Sequence, residues 1–90
     1  MSSLTVCTAK RDEVIDRTEI SRHVGAHLSG RRIERALSVA MVADLAGISR
    51  QALGAMERGL VMPSLATLYN LAEAMNCEPS DLLPKRKAIG

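Results

Sequence analysis

Hydrophobic residues recur at helical spacing along most of this 90-residue chain, starting after residue 20. Val24 and Leu28 lie four residues apart, as on one face of a helix, and Ser21 is placed to cap that helix. Two short helices are predicted next, over 39–46 and 50–58. A fourth helix is predicted from an i, i+3, i+4 stripe formed by Leu65, Leu68, Leu71, Ala72 and Met75.

Serines and glycines mark where the middle helices begin and end. Ser38 and Ser49 precede the second and third helices, where a hydroxyl can accept a hydrogen bond from a free backbone amide. Gly47 follows the second helix at a position suited to a left-handed backbone, and Gly59 closes the third helix. One more helical turn is predicted over 78–83. The predicted fold is all-α, a compact bundle of about five short helices.

The chain divides into three segments of different character. Residues 1–20 lack sustained periodicity and are interpreted as a flexible N-terminal arm with three basic and four acidic groups. Residues 21–84 form the predicted domain, and residues 85–90 a basic tail. The residues after the arm hold nine basic and six acidic groups, so a mild positive bias is expected there.

Composition excludes several classes of protein. Tyr69 is the only aromatic residue, which argues against modules that stack single-stranded bases. Cys7 and Cys77 do not form a disulfide framework, and Cys77 is interpreted as a small core residue. No apolar run approaches the roughly 20 residues of a membrane span, and the start lacks a signal-peptide core. A cytoplasmic protein without membrane association is expected.

A sharp turn joins the second and third predicted helices. Gly47 lets the chain reverse, Ile48 reaches toward the core and Ser49 caps the next helix, as in a helix-turn-helix. From about Val24 to Leu83 the chain resembles the Cro/CI family of phage-repressor-like regulators, also termed the XRE type. The resemblance is carried most specifically by Ala43, Ala46-Gly47-Ile48-Ser49, Glu57-Arg58-Gly59 and Pro63-Ser64-Leu65.

The resemblance implies that the third helix enters the major groove of double-stranded DNA. It places base-edge contacts at Arg50, Gln51 and Ala55. Arginine can bond guanine bidentately, and glutamine can do the same with adenine. It places the start of the second helix, Ser38 and Val39, and the loop after the third helix against phosphates. The polar side chains that could reach a phosphate there are Ser38, Ser49 and Arg58.

The resemblance also implies contacts within the domain and between copies. The family pairs an arginine and a glutamate at the positions of Arg32 and Glu57, so a partly buried ion pair is expected there. A homodimer on an inverted-repeat operator is expected, with the C-terminal residues Leu82-Leu83 as its interface and Ile89 joining them. The basic tail and the Arg31/Arg35 face of the first helix would add sequence-independent attraction to DNA.

Several positions on the DNA-facing side are less polar than in relatives. Val39 cannot donate to a phosphate, and Gly54 adds nothing polar to the third helix. An exposed apolar surface more often marks contact with protein than with phosphate. The alternative function is therefore an antiactivator or antitoxin-like protein that binds another regulatory protein. Its binding face would comprise Val39, Met41, Leu45, Gly54, Ala55, Leu60, Val61 and Met62.

Catalytic and metal sites are not predicted. His23 and His27 have the i, i+4 spacing of metal ligands, but no third ligand is near in sequence, so both are interpreted as solvent-facing. The chain offers no nucleophile with its base, no credible carboxylate pair and no phosphate-cradling glycine loop. We therefore expect neither an enzyme nor a cofactor.

Overall fold

A computed structural model describes residues 16–84 of the chain; residues 1–15 and 85–90 lie outside it. This part is helical throughout, as the sequence predicts. It contains a closing 3-10 helix, Pro79–Leu82, and four α-helices: α1 Arg17–Glu34, α2 Val39–Ala46, α3 Arg50–Glu57 and α4 Leu65–Ala74. None of the four α-helices is long and apolar enough to cross a bilayer.

The first helix begins four residues before its predicted N-cap. Ser21 is buried inside α1, and the cap residue is Asp16. Ile20 packs against the core, so the stripe of Val24 and Leu28 extends one turn further toward the N-terminus. Residues 17–20 of the predicted arm thus belong to α1. The rest of the arm and the basic tail lie outside the described residues.

The helix-turn-helix forms as predicted. Ser38 Oγ accepts a hydrogen bond from the Met41 amide, and Ser49 Oγ accepts one from the Ala52 amide, both at 3.0 Å. Gly47 adopts φ +76°, the left-handed conformation that ends α2 and turns the chain. The Ile48 amide then donates to the Ala43 carbonyl at 3.0 Å. These local bonds fix where α3 starts relative to α2.

The predicted core forms with one exception. Ala43, a residue of α2, is fully buried. Ile48 is half-buried and packs against the core. Leu65, predicted to be buried, is 70% exposed. It is the first residue of α4, and helical side chains tilt toward the N-terminus, so it points beyond the core. The members of the predicted apolar stripes that are buried are Val24, Leu28, Leu68, Leu71, Ala72 and Met75, and Val42, Ala46, Leu53 and Met56 are buried with them.

The C-terminal leucines differ in their surroundings. Leu82 is fully buried in the core of its own chain, which removes it from the dimer interface expected at Leu82-Leu83. The 3-10 helix packs against both α1 and α4, and this contact covers Leu82. Leu83 remains exposed, and Ile89 lies outside the described residues.

Cys77 packs against the core and is expected to react slowly. Its burial raises the pKa of the thiol, which outweighs the lowering effect of the nearby Arg31 charge. The thiolate is the reactive form, so its population at neutral pH is reduced. In a Cys7→Ser variant, iodoacetamide should alkylate Cys77 more slowly than it alkylates free cysteine, and urea should abolish the difference. A native rate equal to that of free cysteine would contradict the burial of this thiol.

Candidate nucleic-acid interface

The outward face of α3 carries the residues expected to read bases. Leu53 and Met56 are buried and hold the opposite face of the helix against the core. Arg50 and Gln51 are exposed in the first turn, next to the Ser49 cap. The turn that fixes this end of α3 therefore also fixes where these two side chains leave the protein surface.

Arg58 lies across the small residue Gly54. A Cβ placed on Gly54 would be 3.5 Å from Nη1 of Arg58, so the exposed arginine reaches back over α3. Ala55, one residue further, is half-buried. The sequence suggests that Gly54 is a lost polar contact. In the structure its lack of a side chain leaves room for a guanidinium on the same face.

The start of α2 presents a serine hydroxyl and free backbone amides. Ser38 is exposed, and its hydroxyl accepts the cap hydrogen bond while keeping its own proton to donate. Val39 is half-buried and packs against the core. The first amides of a helix have no acceptor within the helix and suit a phosphate oxygen. A phosphate here could therefore be bound by the Ser38 hydroxyl and by backbone amides.

The predicted ion pair between Arg32 and Glu57 is present and bidentate. Arg32 Nε donates to Glu57 Oε2 at 2.7 Å, and Nη2 donates to Oε1 at 3.0 Å. The hydrogen bond to this carboxylate holds the pKa of Arg32 above its ordinary value, although burial opposes the shift. Arg32 Nη1 also donates to the Leu37 carbonyl at 3.0 Å. One side chain thus joins α1, the end of α3 and the segment before α2.

Apolar residues of the alternative protein-binding face line two different depressions. Leu45 lines a depression of about 300 Å³ with residues of α4. Leu60 and Met62 line a groove of about 630 Å³ with the start of α1. The two share no lining residue. The exposed members of the predicted face are Met41, Leu45, Leu60, Val61 and Met62, of which Leu60 is the most exposed at 70%.

The expected positive bias does not reside in the folded part. Residues 21–84 hold six basic and six acidic side chains, so the bias comes from the three basic residues of the tail. The Arg31/Arg35 face is also engaged within the protein. Arg31 lies 3.6 Å from Glu34 and 3.8 Å from Asp81, and Arg35 donates to the Asn76 carbonyl. Arg31 thus links α1 to the 3-10 helix while its side chain stays 36% exposed, and Arg35 is exposed as well.

The two histidines differ in exposure. His23 is exposed as predicted, but His27 is half-buried, and its Nδ1 is buried without a hydrogen-bond partner among residues 16–84. Across residues 16–84, no group of three or more His, Cys, Asp or Glu side chains is placed to hold a metal ion. The i, i+4 spacing therefore does not coincide with a built metal site in this part of the chain.

Two arginines near α3 are absent from the DNA-binding residues predicted from the sequence. Arg17 lines the groove beside Leu60 and Met62, and Arg22 packs against Gly59. Arg17 was missed because α1 was expected to begin at Ser21, and Arg22 because its position against Gly59 depends on tertiary packing. Ile20, one turn before Val24 in the apolar stripe, was the signal that could have extended the helix.

Comparison with known proteins agrees with this geometry. The profile of the helix-turn-helix family HTH_3 matches residues 29–82. The restriction-modification controller protein C.AhdI from Aeromonas hydrophila is 34% identical over 69% of this chain and 94% of its own, with a TM-score of 0.67. An HTH_3-family transcriptional regulator from Vibrio cholerae is 30% identical over 74% of this chain and 38% of its own, with a TM-score of 0.71.

A phage repressor solved on DNA is also similar. The P22 c2 repressor, in complex with a synthetic operator, is 28% identical over 67% of this chain and 91% of its own, with a TM-score of 0.63. A comparison with curated protein sequences gives no significant match. The chain belongs to the helix-turn-helix family of Cro/CI-type transcriptional regulators.

Proposed function

We propose that the protein regulates transcription in the bacterial cytoplasm by binding operator DNA sequence-specifically, with α3 in the major groove. The main support for this function is the position of Arg50 and Gln51. Both are exposed in the first turn of α3, and neither has a side-chain hydrogen bond to another residue between 16 and 84. Their donors and acceptors are therefore available for the edges of guanine and adenine.

The rest of the site supports a rigid recognition helix. The Arg32–Glu57 pair and the buried residues Leu53 and Met56 hold α3 at its end and along its inner face. A helix that is fixed before binding loses little freedom when DNA orders it. The operator named with the similar P22 c2 repressor is consistent with this use of the fold.

A titration with two duplexes tests the assignment of the readers. We expect the protein to prefer labelled DNA from upstream of its own gene over a shuffled duplex, as measured by fluorescence anisotropy. Arg50→Ala and Gln51→Ala should each lower this preference by about 1–3 kcal/mol, or roughly 5- to 150-fold in the ratio of the two Kd values. Arg35→Ala and Asn70→Ala, exposed positions away from α3, are the matched controls. An unchanged preference after both α3 substitutions would remove them as readers.

Binding as a dimer to an inverted repeat is part of the proposal. Two copies related by a two-fold axis present two recognition helices to successive major grooves. With Leu82 buried, the apolar side chains available for a second copy outside α2 and α3 include Leu65, Tyr69 and Leu83.

The second candidate is a protein that controls transcription by binding another regulator. It is favoured by the exposed apolar side chains on α2, where Met41 is 51% and Leu45 is 65% exposed, and in the loop after α3. The same titration separates the candidates. Absence of any sequence preference at low and at high salt would favour an antiactivator or antitoxin-like role over operator binding.

A further inference from the structure

The arginines between residues 16 and 84 form two groups that differ in their partners. Three are bonded within the protein, namely Arg31, Arg32 and Arg35. Four have no ion pair or side-chain hydrogen bond to another described residue, namely Arg17, Arg22, Arg50 and Arg58. The second group lies on α3 or against the loop that follows it, so the unpaired positive charge is gathered on one side of the fold.

Arg22 is held directly against the end of the recognition helix. A Cβ placed on Gly59 would lie 2.9 Å from Arg22 Cγ and 3.0 Å from Arg22 Cα, so α1 and the loop touch here. Gly59 follows Arg58 and has φ +78°. Arg22 is therefore an exposed residue whose Cα and Cγ pack against the glycine that follows Arg58.

Arg17 lies on the turn of α1 before Arg22. It lines the 630 Å³ groove together with Leu60 and Met62 of the loop. The two side chains leave α1 about 140° apart around the helix axis. Each nevertheless borders the segment after α3, Arg17 through this groove and Arg22 through Gly59.

The loop itself supplies no charge. Leu60, Val61 and Met62 are all exposed and apolar. Residues 16–84 hold seven basic and eight acidic side chains, so net charge does not draw this part of the chain to DNA. Side-chain attraction to the phosphates beside α3 would therefore come from the few arginines that have no partner among these residues.

We propose that Arg17 and Arg22, together with Arg58, contact the DNA phosphate backbone alongside the groove entered by α3. They take the place of the basic residues absent from the loop Leu60-Val61-Met62. This inference rests on the proposed function, because it requires α3 to lie in the major groove. It adds the N-terminal half of α1 to the DNA-binding surface.

Salt dependence is the readout that isolates phosphate contacts. Each contact releases counterions and adds about 0.9 to the slope of log affinity against log salt. We expect the double variant Arg17→Gln/Arg22→Gln to lower that slope by about 1.8 on a shuffled duplex, between about 50 and 200 mM KCl. The preference for upstream over shuffled DNA should stay within twofold of the wild type. Glutamine keeps the Cβ and Cγ that pack on Gly59, so the fold should be preserved, as checked by circular dichroism.

The matched control removes the same charge elsewhere. Arg31→Gln/Arg35→Gln also lowers the net charge by two but changes arginines that are bonded within the protein. Its slope should equal that of the wild type. Equal loss of slope in both double variants, or no loss in Arg17→Gln/Arg22→Gln, would overturn the inference while leaving operator binding intact. A wild-type protein that binds both duplexes equally would instead overturn the proposed function.

Discussion

Replacing Gly25 with alanine is expected to destabilise the protein by about 3 kcal/mol, although alanine is the better helix former. A Cβ at this position would overlap the Met56 carbonyl oxygen and lie 2.7 Å from the Glu57 carbonyl oxygen. Both are backbone atoms at the end of α3 and cannot swing aside. Helix α1 would have to move away from α3, which would also pull Arg32 from Glu57.

Gly30 provides the matched control on the same helix. It is exposed, and a Cβ there would have no atom within 4 Å. Gly30→Ala should therefore stabilise the protein by about 0.5–1 kcal/mol through helix propensity alone. Urea denaturation measures both free energies of unfolding. If Gly25→Ala stabilised the protein as Gly30→Ala does, Gly25 could not lie against the carbonyl groups at the end of α3.

Removing only the arginine of the Arg32–Glu57 pair is expected to have the second large effect on the free energy of unfolding. Arg32→Met should cost about 2–4 kcal/mol, because it leaves a largely buried carboxylate without its partner. The Arg32 side chain is only 17% exposed and that of Glu57 only 11%, so water replaces the lost bonds poorly. The loss should appear as a lower urea midpoint with an unchanged slope of free energy against urea.

A double variant distinguishes the pair from its separate residues. Arg32→Met/Glu57→Leu removes both charges and fills the space with apolar side chains, which is often neutral or stabilising for buried pairs. We expect it to recover at least half of the stability lost by Arg32→Met. Additive losses from the two single substitutions would mean that the bidentate contact contributes no coupling of its own.

The local features of the fold could be predicted from the sequence because they depend on neighbouring residues. Ser38 and Ser49 cap helices through bonds to amides three residues ahead, and Gly47 takes a conformation that other residues resist. The turn between α2 and α3 follows from these positions alone. The resemblance to Cro/CI proteins added the Arg32–Glu57 pair, which joins residues far apart in sequence.

Features that depend on how distant segments meet could not be predicted. Gly25 is a weak helix former in sequence terms, yet it allows close packing of α1 on the end of α3. Leu82 has the pattern of a possible interface residue but is covered by α1 and α4. Arg17 borders the loop after α3 because α1 extends one turn further than its cap signal indicated, and Arg22 because α1 packs against Gly59.

Whether α3 reads base sequence can be tested by selection from a randomised pool of DNA duplexes. We expect the wild-type protein to enrich one motif, arranged as an inverted repeat. The Arg50→Ala/Gln51→Ala variant should lose the preference for guanine and adenine within each half-site. Enrichment of no motif by the wild-type protein, or of the same motif by the double variant, would contradict base reading by α3.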